Sequence, residues 1–306
     1  MQQSDSAPDP SDATPASPIP LPERISRGGL VLVSTPIGNL GDMTTRAIAE
    51  LRAADMVLCE DTRNSARLLT AFDIRVRTEA LHDHNEEERI PGLLAQLRQG
   101  RRIAVISDAG MPVLSDPGFR LARAAIAEGI HVDALPGANA ATLALVLSGL
   151  PPLPFLFQGF LPPKQAARRA ALERLRAIEQ AGLSATTIWY EAPHRLGETL
   201  ADMADLLGPR PAAVARELTK KFEEVRRATL PELAAHYATA EARGEIVLVV
   251  GPPPEEAADA QDIDAMLRAA MKSNSLKDAV AAVVQATGQN RKSIYARALA
   301  LAADNP

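Results

Sequence analysis

Cysteine is nearly missing from this chain: Cys59 is the only one. A lone thiol closes no internal disulfide and builds no cysteine-based zinc site, which fits a reducing, cytoplasmic setting. Aromatic residues make up only 3% of the 306 residues, so a core drawn from 46% hydrophobic residues must rely on Leu, Val, Ile and Ala. No apolar run is long enough to span a bilayer, so no membrane partner is expected. The opening residues, MQQSDSAPDPSDATPASPIPLPE, lack the basic-then-apolar order of a signal peptide. Their Ser, Pro, Ala and Asp content cannot bury a core, and a disordered tail is expected over residues 1–27. Neither G-x-x-x-x-G-K-[ST] nor G-x-G-x-x-G occurs, which removes the P-loop and dinucleotide signatures. No His-Glu-x-x-His or paired-Cys spacing occurs either. His82 and His84 flank Asp83 without a third ligand, so a solvated loop and no metal are expected there.

Net charge is −5, which at first argues against a polyanionic partner. The distribution weakens that objection. Residues 253–264 hold Glu255, Glu256, Asp259, Asp262 and Asp264, whereas residues 265–306 hold six Lys or Arg against two Asp. A local basic face matters more to nucleic acid than the sum over the chain.

Folding is expected to begin near Gly29. GLVLVSTPIGN, DMVLCED, RRIAVISDAG and HVDALPG each read as a buried strand ending in a loop, and helical patterns fall between them over 45–54, 86–99 and 118–128. This alternation predicts an α/β fold with a mostly parallel, doubly covered sheet. The proline-dense LPPLPFLFQGFLPPK at 150–164 marks a hinge into a second α/β domain. That domain holds a basic amphipathic helix over 164–181, the strand TTIWYEAP, a helix that Gly208 terminates, and the strands PAAVARELT and GEIVLVVG. The expected layout is therefore a tail at 1–27, α/β domains at 28–150 and 151–252, a linker at 253–264, and a helix-turn-helix-like RNA-binding module at 265–306, with two helices around a T-G-Q-N turn.

Three loops follow buried strands: Ser34-Thr35-Pro36-Ile37-Gly38-Asn39, Ser107-Asp108-Ala109-Gly110-Met111-Pro112 running on to Ser115-Asp116-Pro117-Gly118, and Leu135-Pro136-Gly137-Ala138-Asn139-Ala140. One such loop is usually just a turn. Three at the carboxyl ends of strands in one sheet predict a ligand crevice.

S-T-P-I-G-N-L-G-D, C-E-D-T-R, S-D-A-G-M-P-x-x-S-D-P-G, L-P-G-A-N-A, Y-E-A-P-H-R and A-R-E-L-T-K occur in that order. Together they resemble the ribosomal small subunit methyltransferase I family, a branch of the tetrapyrrole methylase-like enzymes. The resemblance covers about residues 29–251. It implies a two-domain fold with S-adenosylmethionine (SAM) in the interdomain cleft, a small helical C-terminal module, and 2′-O-methylation of a decoding-region cytidine in 16S rRNA. It also implies the small ribosomal subunit as partner and a homodimer. Residues that the resemblance places beside the cofactor are Pro36, Ala109, Gly110, Met111, Leu114, Asn139, Ala140, Tyr190 and Leu218. The first loop departs from the Gly-x-Gly-Pro-Gly-Asp of tetrapyrrole-modifying relatives, which points to a different substrate.

A ribose hydroxyl is a poor nucleophile, so a base that takes its proton is expected. Asp61, at the end of the strand MVLC, is one candidate, with capping of the next helix as its alternative. Glu217 is another, with an ion pair to Lys220 or Lys221 as its alternative, and His194 is a third. RNA phosphates call for cations. Arg63, Lys164, Arg195, Arg216 and Lys220 lie beside the motif loops, Arg168, Arg169, Arg174 and Arg176 stud one helix, and Arg291 and Lys292 open the final helix. Two other readings remain open: a SAM-dependent methyltransferase acting on a tetrapyrrole, and a non-catalytic ribosome-associated RNA-binding protein.

Overall fold

A computed structural model of the chain describes residues 28–254, 260–287 and 290–303. The expected tail at 1–27 and the Gly-Gln of the T-G-Q-N turn lie outside the described residues. One compact unit ends at Arg176 and resumes over Thr186–Gly251, and a second takes Ala177–Ala185 and the residues from Pro252 onward.

The first unit contains two sheets. Strands β1 (Gly29–Val33), β2 (Met56–Cys59), β3 (Thr78–Ala80), β4 (Arg102–Ile106) and β5 (Val132–Leu135) form a sheet of order β3-β2-β4-β1-β5, parallel throughout. Strand periodicity explains its double cover. Val31, Val33, Val57, Cys59, Ala104 and Ile106 pack with residues of α1 (Thr45–Ala53) and α2 (Thr62–Ala71). The alternate residues Leu30, Met56, Leu58, Ile103 and Val105 pack with α3 (Glu86–Arg98) and α4 (Phe119–Ala127). Cys59 is buried, and burial pushes its thiol above the ordinary range, so it serves as a small apolar side chain. Arg102 enters this sheet on a buried ion pair with Glu50.

The second sheet is mixed rather than parallel. Its order is β6 (Phe155–Phe160), β7 (Thr186–Glu191), β10 (Ile246–Val250), β8 (Pro211–Arg216) and β9 (Glu224–Thr229). Only β6 and β7 run parallel, and β10 and β9 pair antiparallel with their neighbours. One face packs Trp189, Val214 and Leu248 against leucines of α6 (Gln165–Gln180), α7 (Leu196–Leu207) and α8 (Leu230–Tyr237). Gly208, with φ 76°, ends α7 as expected. The other face receives α5 (Ala140–Ser148) of the first sheet's chain segment: Ala141, Ala144 and Leu145 pack on Ile188, Ala213, Val247 and Val249. The sequence AATLALVLS supplies that apolar face, and on the opposite side Val146 remains exposed. Helix α5 thereby ties the chain that follows β5 to the second sheet.

The short strand β3, the six-residue strand β9 and helices α2, α5 and α8 are additions to the elements expected from sequence. Among the described residues from Pro252 onward there are three helices rather than two: α9 (Ala260–Met271), α10 (Leu276–Thr287) and α11 (Arg291–Ala303). Helix α9 starts inside the segment expected to be a linker. These helices share a core of Ile263, Leu267, Val280, Val283, Ile294, Ala298 and Leu301. Asp264 of α9 accepts two hydrogen bonds of 2.6 Å from the Arg297 guanidinium of α11.

Candidate active site

In the parallel sheet, the chain passes from β1 outward to β2 and β3, then returns to β4 beside β1. The β1 and β4 carboxyl ends therefore flank a topological switch point, where no crossover covers the sheet edge. The loops after these strands are stitched together there. Thr35 N–H donates to Gly110 O at 2.9 Å, and Gly110 N–H donates back to Thr35 O at 3.2 Å. The Thr35 hydroxyl donates to Ser107 O at 3.0 Å. The third loop joins through the Ser34 hydroxyl, 2.9 Å from Leu135 O. Glycine is required at Gly110, whose φ is 89° and where a Cβ would stand 3.1 Å from Ile37 Cγ2.

These loops and the edge of the mixed sheet enclose a cavity of about 390 Å³, within the usual range for small-molecule sites. Ala109, Gly110, Met111, Leu114, Asn139, Ala140, Tyr190 and Leu218 all line it. Pro36 does not: it is buried behind the loop, and its neighbour Ile37 faces the cavity. Asn139 does double duty, since its side chain also caps α5 by accepting from Thr142 N–H at 3.0 Å. The Tyr190 ring stands edge-on to Phe157 and Phe160, with centroids 4.9 and 5.5 Å away. Ser115 and Asp116 of the second crevice loop also line the cavity, as do Glu191, Ala192 and Pro193 of the Y-E-A-P-H-R motif, Phe160 and the strip Gly244–Val247, the last two outside every motif and loop read from the sequence. The Gly244–Val247 strip carried no local signal, because only the pairing of Val247 with Tyr190 across β10 and β7 brings it there.

The expected bases are placed differently. Asp61 is the N-cap of α2: its carboxylate accepts from Arg63 N–H at 2.8 Å and holds the Arg63 guanidinium at 2.7–3.1 Å. Those hydrogen bonds hold its carboxyl down at about 2. Glu217 lies in a left-handed turn, φ 52°. It accepts from Lys220 Nζ at 2.8 Å and Glu245 N–H at 3.0 Å, and the Lys220 contact holds its carboxyl below the usual range. Its contribution is to fold the turn that presents Leu218 to the cavity. His194 is exposed on a short 3-10 turn, Pro193–Arg195, and does not line the cavity.

Most cations proposed for RNA are likewise committed. Arg195 pairs with buried Glu191 at 2.8 Å and donates to Leu161 O. Arg216 pairs with Glu224 at 3.0 Å, and Lys220 with Glu217 and Glu245. Arg168 is fully buried against Asp202, and Arg169 bridges Asp202 and Asp205. Arg63 is exposed but chelated by Asp61. Lys164, Arg174 and Arg176 are exposed, and so are Arg291 and Lys292 in the first turn of α11. Beside the cavity, Glu60, Asp61, Thr62, Arg63, Asn64, Ala80, His82 and Asp108 line a second, open and polar concavity. Asp108 accepts from the Asn64 amide at 2.8 Å within it. No group of three or more metal-ligating side chains occurs among the described residues.

The chemistry of the first cavity suits SAM. Small residues and a glycine at left-handed φ expose backbone of 109–111 for a polar moiety, and an aromatic and aliphatic wall offers a surface for a purine. Asp116, a carboxylate with no cation within ion-pair distance among the described residues, suits a sulfonium.

The comparisons agree with this geometry. The model for Tetrapyrrole (Corrin/Porphyrin) Methylases matches residues 29–234, and that for the RsmI C-terminal HTH domain matches residues 257–302. The chain is 47% identical over 283 residues to ribosomal RNA small subunit methyltransferase I of Mesorhizobium japonicum, covering 92% of this chain and 95% of the relative. It is 44% identical to the protein of that name from Pseudomonas aeruginosa, covering 90% and 98%. Among solved structures, the uroporphyrin-III C-methyltransferase of Thermus thermophilus superposes with a TM-score of 0.51 at 22% identity, covering 74% of this chain and 94% of that one, a likeness of fold. The chain belongs to the tetrapyrrole methylase family and, within it, to the ribosomal RNA small subunit methyltransferase I proteins.

Proposed function

We propose that this protein methylates ribosomal RNA of the small subunit, using SAM, and that the acceptor is the ribose 2′-hydroxyl of a decoding-region cytidine in 16S rRNA. The observation that carries this reading is the cavity at the switch point, in which residues of three loops and of the facing sheet converge. SAM supplies a methyl group on a positively charged sulfur. The chain's own task is to hold donor and acceptor in line and to exclude water. The backbone of Ala109–Met111 fixes the donor's polar end. Tyr190, Leu218 and Val247 bury its aromatic end. The polar concavity next to it, reached through Asp108, is the place for the acceptor nucleotide. Lys164, Arg174, Arg176 and the Arg291–Lys292 pair are the exposed cations among those expected to meet phosphates. The helical module brings the last of these sites to the RNA. The protein works in the cytoplasm on assembled or assembling subunits, as a homodimer.

The test is incubation of the protein with radiolabelled SAM and small subunits that lack the modification, followed by mapping of alkali-resistant linkages. A single 2′-O-methyl cytidine in the decoding region supports the reading. Transfer to a tetrapyrrole but not to subunits or rRNA would overturn it. Sedimentation at working concentration tests the dimer, and a monomer would remove that part of the proposal.

A further inference from the structure

Strands β8 and β9 pair antiparallel up to Arg216 and Glu224, and the seven residues Glu217–Glu223 join them. Hairpin connections usually take about two to five residues, so this turn is longer than closure requires. It is also strained. Glu217 and Thr219 are left-handed at φ 52° and 67°, conformations that cost energy in non-glycine residues and persist where the surrounding structure imposes them. Several bonds impose them here. Lys220 N–H donates to Glu217 O at 3.0 Å, and Glu223 N–H donates to Lys220 O at 3.2 Å. The Glu223 carboxylate accepts from Thr219 N–H at 2.6 Å. Lys220 Nζ is held by Glu217 at 2.8 Å and by Glu245 at 3.2 Å. The Lys220 stem abuts Gly38, where an added Cβ would collide with Lys220 Cγ. The turn is thereby fastened against the first crevice loop.

Two hydrophobic residues of this turn have opposite fates. Leu218 is 5% exposed and lines the cavity, whereas Phe222, four residues on, is 64% exposed. Lys221 Nζ stands over the Phe222 ring, 5.6 Å from its centroid. Among the described residues Lys221 has no carboxylate within ion-pair distance, because Lys220 takes the place beside Glu217. A single exposed apolar side chain is ordinary. An aromatic ring held out on a fastened turn, with an ammonium against it and a small-molecule cavity behind it, is a platform for a nucleotide. The ring supplies a stacking face and the ammonium a counter-charge.

We propose that Phe222 stacks a base of single-stranded RNA and that Lys221 meets the adjoining phosphate, so that the β8–β9 turn positions the strand beside the cofactor cavity. This rests on the RNA substrate proposed above. Four residues span at most about 14 Å, so the stacked base is a near neighbour of the acceptor along the strand. The pairing of ring and ammonium favours RNA over a protein partner, because an apolar docking face would strip water from Lys221 and give it no counter-charge. Unstacked bases of single strands are what aromatic side chains hold in RNA recognition. Every base offers the same kind of face, so the platform fixes the strand without dictating its sequence. Phe222 acts by positioning, at a distance from the reacting atoms.

The experiment compares the full-length protein with Phe222→Trp, Phe222→Leu, Phe222→Ala and Lys221→Gln. Trp189 is the one tryptophan of the chain and is buried, so the fluorescence added in Phe222→Trp reports on position 222. Single-stranded oligocytidylate is expected to quench that added fluorescence, and an RNA duplex of equal length to quench it far less. In methylation of unmodified small subunits, Phe222→Ala and Phe222→Leu are expected to raise KM by roughly 5- to 100-fold with kcat little changed, and Phe222→Trp to stay near wild type. Lys221→Gln is expected to reduce the salt dependence of RNA binding by about one phosphate contact. Calorimetry with SAM is expected to give the wild-type affinity in all four variants. Absence of quenching overturns the proposal, as does a wild-type KM in Phe222→Ala. A wild-type KM in Phe222→Leu overturns it too, by assigning the position to an apolar contact. Loss of SAM binding in Phe222→Ala would make the residue part of the cofactor cavity and would likewise overturn it. Quenching by oligocytidylate without methyl transfer to subunits would strike the substrate reading and leave the platform standing.

Discussion

Replacing Asp202 by Ala tests how the basic helix α6 is used. Arg168 is fully buried, and its Nε donates to Asp202 Oδ2 at 2.7 Å. Asp202 also accepts from Arg169 at 3.0 Å and from the Gln165 amide at 3.3 Å. Removing the carboxylate leaves a buried guanidinium whose remaining counter-charge is the exposed Glu198 carboxylate at 3.5 Å, with Nη1 already unpartnered. Breaking a buried pair from one side costs about 3–5 kcal/mol. At roughly 2–4 °C per kcal/mol for a chain of this size, the melting temperature should fall by about 6–20 °C. Differential scanning calorimetry reads this directly. The double replacement Arg168→Met with Asp202→Leu should restore much of the loss, because it removes both charges. The pH dependence has a definite sign. Burial pushes the Asp202 carboxyl up, but the Arg168, Arg169 and Gln165 hydrogen bonds prevail and leave it below its ordinary 3.8. Its contribution is therefore present above pH 3.8 and is lost as pH falls through the lower, folded-state value. A loss under about 1 kcal/mol in Asp202→Ala would refute the buried pair and return Arg168 to the surface.

Gly110→Ala should weaken SAM binding by about tenfold or more, since a side chain at φ 89° costs roughly 1–2 kcal/mol and the new Cβ presses on Ile37. Calorimetry checks it, and an unchanged affinity would mean that this loop does not shape the cavity. Tyr190→Ala should raise the SAM dissociation constant roughly tenfold through loss of an aromatic wall, with Tyr190→Phe near wild type. Equal effects of the two would assign the role to the hydroxyl instead. Replacing Arg291 and Lys292 together by Ala should weaken RNA binding and reduce its salt dependence by about two phosphate contacts, with SAM affinity unchanged. Loss of SAM binding in that variant would contradict a separate RNA-binding role.

The loops around the cavity were legible because each joins a continuous apolar strand to a Pro- or Gly-containing turn, and a parallel sheet sends all such turns to one edge. The partners of charged residues were less legible, and for differing reasons. Glu191 and Arg195 are four residues apart, so their pair was within reach of a local reading. Arg168 also carried a signal, since it lies four and seven residues before Leu172 and Leu175 on the buried stripe of α6. Arg216 carried none: its partner Glu224 is set by the antiparallel register of β8 and β9, which no local pattern specifies. Asp116 is the sharpest case. The sequence presents 38 carboxylates, and although Asp116 sits in one of the three crevice loops, no local pattern shows which cavity-wall carboxylates are paired. Asp61 is neutralised by a residue two positions away, whereas the carboxylates beside Asp116 in the cavity wall are neutralised by Arg195 and Lys220 from the second sheet's loops. Among the described residues Asp116 has no such partner, a property of the assembled cavity that appears only once the cations around it have been placed. Arg195 and Lys220, expected to hold RNA, pair instead with Glu191 and Glu245 in the cavity wall, so the same cations that a sequence assigns to a polyanion set the charge of the cofactor cavity.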